Sequence, residues 1–118
     1  MANEFRNRTL TGVGTSATSL YATPDGKTSI VLELDLANTT SSVVEATVEL
    51  LDYSDASGSG VGTNWKHIVK NAPVPAGGSL MVIAGQKIVL EAGDKVRVTS
   101  SAANVMDAVA AILEDVNS

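Results

Sequence analysis

Ala72-Pro73-Val74-Pro75-Ala76-Gly77-Gly78, near the start of the stretch 70–114, is the segment whose reading decides the fold. Proline presets φ and glycine accepts positive φ, so the segment reads as a turn. A series of short alternating strands runs on from it. Residues 79–84 place Leu80 and Val82 inward, residues 87–90 form a short strand, and the tight turn Glu91-Ala92-Gly93-Asp94 delivers residues 95–100, where Val96 and Val98 alternate with Lys95 and Arg97. No reactive group stands among them, which points to a structural β-domain.

Upstream the same period recurs. From Thr28, Ile30, Leu32, Leu34 and Leu36 fall on one face, with Val31, Glu33, Asp35 and Ala37 on the other. After the polar run Asn38-Thr39-Thr40-Ser41-Ser42, Val44, Ala46, Val48 and Leu50 repeat it, with Glu45, Thr47 and Glu49 opposite. These two strands are expected to pair antiparallel as neighbours. Residues 8–13 and 16–23 read as two more strands, the second closed by Pro24-Asp25-Gly26-Lys27, and 65–69 as another. The segment 104–116 reads two ways: Asn104 with Asp107 suits a helix cap, while Ala108, Ala110 and Ile112 alternate with Val109, Ala111 and Leu113 as in a buried strand. The strand is chosen, because it completes an all-β, antiparallel β-sandwich of about eight short strands, of jelly-roll or immunoglobulin-like type. Residues 1–7, polar around a lone Phe5, read as an N-terminal arm on a single domain covering 8–118.

Composition supports one domain held by packing. A chain of 118 residues buries roughly two-thirds of its unfolded surface. There is no Cys and a single His, which removes disulfides, thiolate sites and imidazole clusters within one subunit. The net charge is −5 and the eight basic residues are scattered, which argues against nucleic acid as a partner, since phosphate neutralisation needs clustered Lys and Arg. No run is long and apolar enough to cross a bilayer and none resembles a signal peptide, so no membrane partner and a cytoplasmic origin are expected. Four aromatic residues, Phe5, Tyr21, Tyr53 and Trp65, are few for a sugar-binding or single-strand platform.

Thr11-Gly12-Val13-Gly14-Thr15, Leu36-Ala37-Asn38-Thr39-Thr40, the turn at 72–80 and Val89-Leu90-Glu91-Ala92-Gly93-Asp94 together resemble small virion structural proteins of tailed bacteriophages, in particular the β-sandwich proteins that decorate or cement the capsid. The resemblance spans residues 10–114 and rests on turn and strand patterns. It implies a virion protein, assembled in the host cytoplasm, that docks on the lattice of the major capsid protein as a homo-oligomer such as a trimer. The alternatives are a tail, neck or fibre component, which shares similar signatures, and a carbohydrate-binding or adhesion module.

Reactive-site candidates read as structural. His67 has no nucleophile or second ligand at a useful spacing, so it is expected to pack rather than catalyse. Asp52 and Asp55 with Ser57 and Ser59 offer oxygens, yet their spacing does not match a calcium loop and no bidentate Glu closes it. Gly58, Gly60 and Gly62 lack the Lys-Ser or Lys-Thr of a phosphate cradle. Glu33, Asp35, Glu45 and Glu49 read as the solvated face of a sheet rather than a carboxylate pair for glycoside cleavage. No catalytic residue, cofactor or metal is expected, and the chain is read as a non-enzyme. Phe5, Tyr53 and Trp65 are the candidate partner contacts, Phe5 from the arm and Tyr53 from the Gly/Ser-rich loop 52–64.

Overall fold

The computed structural model describes residues 4–54 and 62–114. Eight strands are formed: β1 (Glu4–Leu10), β2 (Thr18–Ala22), β3 (Ser29–Asn38), β4 (Val44–Leu51), β5 (Trp65–Val74), β6 (Ser79–Leu90), β7 (Lys95–Ser100) and β8 (Met106–Glu114). They build two antiparallel four-stranded sheets, in the orders β1-β8-β3-β6 and β2-β7-β4-β5. The pairs β1–β8, β2–β7, β3–β6 and β4–β5 are those of one long hairpin, with β5 returning along β4 and every later strand along an earlier one. Rolled up so that β3 also meets β8 and β4 meets β7, this hairpin is a jelly roll, which decides between the two sandwich types expected.

A single apolar core fills the space between the sheets. Leu34, Leu36, Ile83, Met106 and Ile112 come from the first sheet and Val48, Val96 and Val98 from the second, all at most 1% exposed. The alternation of β7 and β8 dictates this: Val96, Val98 and Ser100 are buried on one, Met106, Ala108, Ala110 and Ile112 on the other. Within segment 104–116 the strand runs from Met106 to Glu114, after a turn that holds Asn104; residues 115 and 116 lie outside the described residues.

Four expectations need correction. First, β3 and β4 do not pair; they lie in different sheets. Asn38 ends β3 as a buried side chain whose amide donates to the carbonyls of Ser42 (2.6 Å) and Val74 (3.0 Å) while its Oδ1 accepts from the Thr40 amide (2.9 Å). Those bonds satisfy the backbone while the chain crosses between sheets. Second, the register of β3 shifts between Val31 and Glu33. The extra residue, Leu32, reverses the alternation, so Ser29 and Val31 are buried with Leu34 and Leu36, while Ile30 pairs with the outward Val89. Third, Glu4, Phe5, Arg6 and Asn7 are not an arm but part of β1, paired with Ala111 to Glu114; residues 1–3 lie outside the described residues. Fourth, the strands at 79–84 and 87–90 are one strand, β6, and β5 runs on to Val74 through a kink at Asn71, whose φ is +49°.

Candidate functional site

In antiparallel pairing, opposed residues point to the same side, so the registers define rows across each sheet. On the outer face of β1-β8-β3-β6, one row is Phe5, Leu113, Ile30 and Val89. The next is Asn7, Ala111, Glu33 and Ala84, and the third Thr9, Val109, Asp35 and Met81. Phe5 is 78% exposed, Met81 66%, Val89 59% and Val109 48%. The result is a largely apolar surface with two carboxyls, Glu33 and Asp35, near its middle.

Those carboxyls are unusually placed. The neighbours opposite Asp35 are Val109 and Met81, and those opposite Glu33 are Ala111 and Ala84. Asp35 Oδ1 is buried without a hydrogen-bond partner among the described residues. Glu33 is pushed above the usual carboxylate range, first by hydrogen bonding to Asp35, then by the Asp35 charge and by burial.

The outer face of the other sheet is built differently. Its central row holds Ser19, Arg97, Glu49 and His67. Arg97 grips Glu49 with two bonds, Nε to Oε1 at 3.0 Å and Nη2 to Oε2 at 3.3 Å. Its guanidinium also lies 3.7 Å from the centre of the Trp65 ring. His67 Nε2 stands 3.7 Å from Glu49 Oε2. Trp65 and His67 thus belong to one polar cluster rather than to the core.

Tyr53 holds a third position. Its amide donates to Asp94 Oδ1 (2.9 Å), whose Oδ2 accepts from the Glu91 amide (2.9 Å), so buried Asp94 ties residues 52–54 to the β6–β7 turn. The Tyr53 ring covers that turn: a Cβ at Gly93, where φ is +89°, would sit 2.9 Å from Tyr53 Cγ. Only glycine fits there. Asp52, Glu91 and Asp94 bring carboxylate oxygens within 4.8 Å of one another. Asp94 spends both oxygens on backbone amides, which is a turn-forming role. Of the oxygen-rich loop, Asp55, Ser57 and Ser59, with Gly58 and Gly60, lie outside the described residues.

At one end of the sandwich, Glu114 is buried and accepts from Tyr21 Oη (2.5 Å) and from Arg6 Nε (2.8 Å); Tyr21 also bonds Ser29 Oγ at 2.7 Å. Burial above all, with the Glu114 bond, raises the Tyr21 phenol to about 12. Glu114 is held below the usual range, chiefly by the Tyr21 bond and also by Arg6, against the opposing effect of burial.

The structure therefore separates the three candidate contacts. Phe5 sits on the apolar face, Trp65 lies under Arg97 on the opposite face, and Tyr53 braces a turn. Sequence reading missed Val109, Ala111, Met81 and Val89; the signal was present in residues 108–113, apolar on both faces, where only one face has a core to enter.

No protein-family model matches the chain, and no curated protein matches it in sequence. Among solved structures, a chain from Bacillus endospore appendages, which form a novel family of disulfide-linked pili, is similar with a TM-score of 0.50 at 13% identity, covering 99% of this chain and 88% of that one. At that identity the likeness shows a shared β fold. With no Cys in this sequence, the disulfide linkage has no counterpart here.

Proposed function

We propose that this protein is a non-catalytic structural module that decorates the capsid of a tailed bacteriophage, binding the major capsid protein lattice and stabilising it as a homo-oligomer. The observation that carries this reading is the exposed apolar sheet face on a jelly-roll frame, a frame that viral capsid domains also use. The turn patterns at 11–15, 72–80 and 89–94 supply the phage setting by resemblance. Repetition over many lattice sites multiplies a modest single contact.

A second reading, a filament or fibre subunit, is favoured by the fold likeness to the endospore appendage chain over nearly the whole length. One experiment separates the two. Purified protein is added to stripped capsids of the phage that encodes it, and a parallel sample without capsids is imaged by negative stain. Saturation of a fixed number of lattice sites with increased heat resistance is the expected result. Filaments formed by the protein alone, or labelling confined to the tail of intact particles, would overturn decoration in favour of the second reading.

A further inference from the structure

We infer that the outer face of the β1-β8-β3-β6 sheet docks an apolar, extended segment of a partner protein that brings a Lys or Arg side chain to Glu33 and Asp35. This deepens the assembly reading and rests on it, by naming the surface and the chemistry of what it holds.

β8 and β3 are the inner strands of the sheet, so their backbone groups are already paired and recognition on this face falls to side chains. The row Phe5, Leu113, Ile30 and Val89 offers apolar contact across all four strands, and Val109 with Met81 continues it on either side of Asp35. With strands about 4.8 Å apart and a two-residue rise of about 6.8 Å, three rows across four strands cover about 400 Å². That is half of the roughly 800 Å² each partner contributes to a standard interface, enough for a segment rather than for a whole domain.

Charge selects the occupant. Asp35 Oδ1 is already shut off from solvent and without a partner among the described residues, so the face carries a desolvated acceptor whose lost solvation nothing in those residues offsets. Glu33 is exposed beside it at the middle of the face, so an incoming cation meets an acidic partner there, and charge-assisted bonds of this kind are the stronger ones. A second copy placed face to face would instead bring two such acid pairs together. The base at the centre of this chain's other outer face does not serve either, since Arg97 is already held by Glu49 and Trp65.

The test uses the full-length, isotope-labelled protein and capped nonapeptides that alternate threonine and valine, with lysine, glutamine or glutamate at the centre. The lysine peptide is expected to shift the amides of Ala84, Val109 and Ala111 and to bind at least about tenfold more tightly than the glutamine peptide. The double variant Glu33→Gln with Asp35→Asn should remove that advantage, and Val109→Asp should remove binding altogether, both with unchanged circular dichroism. Equal binding of lysine and glutamate peptides, shifts centred on His67 and Trp65, or no binding by any peptide would overturn the proposal. So would a concentration-dependent dimer in sedimentation that Val109→Asp dissolves, which would give the face to a second copy. Capsid add-back reads the setting and the peptides read the surface, so a failure of either is told apart from a failure of the other.

Discussion

At the centre of one outer face Arg97 meets Glu49 through two bonds and lies over Trp65; at the centre of the other, Asp35 stands between Val109 and Met81 with an oxygen left unpartnered among the described residues. Both positions belong to inner strands of four-stranded sheets in the same jelly roll. One face satisfies its charges within the chain and surrounds them with Ser19, Thr47 and Thr99, as a solvated surface does. The other carries its charge among apolar side chains and leaves one carboxyl oxygen without a partner among the described residues. The core beneath therefore does not determine what a face is for; the outward half of each strand does, and it is free to specialise because the inward half alone holds the fold.

That separation has a direct test, and the largest effect expected belongs to it. Leu34 is fully buried while Glu33, its neighbour on β3, faces outward. Leu34→Ala should lower unfolding free energy by about 2–5 kcal/mol in urea melts, and Glu33→Ala by far less. Equal losses would mean that β3 has slipped by one residue and that the apolar face has been assigned to the wrong side.

This register is only partly legible in the sequence. Leu34 and Leu36 read correctly as inward, because their alternation with Glu33 and Asp35 is regular. Ile30 and Leu32 do not, because a bulge leaves no mark in an all-apolar run such as Ile30-Val31-Leu32. Likewise β7 is legible at both ends, Lys95 and Ser100, yet the alternation pairs β3 with β4, since the turn at 38–42 looks like a hairpin until the buried Asn38 side chain is seen carrying the chain to the other sheet. The partner of Trp65 lies 32 positions further along the chain, at Arg97, a distance no local pattern spans. The candidate surface is half visible: Phe5 stands out as a contact, but on an apparent arm, and Val109 reads as part of a strand buried on both sides.

A second test asks whether the buried charge network at the end of the sandwich serves stability alone, unlike the acid pair on the apolar face. Glu114→Gln keeps an acceptor for Tyr21 but removes the charge that Arg6 meets, and should cost about 1–3 kcal/mol near neutral pH. The folded-state acidity of Glu114 is strengthened, so its contribution is complete above the ordinary carboxylate value of about 4.3 and disappears as pH falls through the depressed folded value. Melts taken at successively lower pH should therefore lose stability more steeply in the original protein than in the Gln variant. Parallel curves would show that Glu114 is not held in its ionised form.

The satisfied face is probed by Arg97→Ala, which removes the cover from Trp65 and one partner of Glu49. The arginine side chain is 29% exposed, so solvent screens the pair and the expected loss is about 1 kcal/mol. Trp65 is the sole tryptophan, so its emission should shift toward the red in the folded variant. An unchanged emission maximum would remove the stacking from the description of this face, and with it half of the contrast.

The smallest effect is the most discriminating. If the apolar face is not needed for folding, then Met81→Thr and Val109→Thr, which place strand-compatible polar groups at positions 66% and 48% exposed, should change unfolding free energy by no more than about 0.5 kcal/mol. The same pair should reduce binding of a hydrophobic dye and raise solubility, because an exposed apolar patch is attractive to any apolar surface. Thr99→Val on the opposite face makes the reciprocal change and should leave both properties nearly where they were, since a single apolar residue among Arg97, Glu49 and Thr47 makes no patch. A loss of several kcal/mol from Met81→Thr or Val109→Thr would show that the outward half of β6 and β8 also supports the fold, and exposure there would no longer point to a partner.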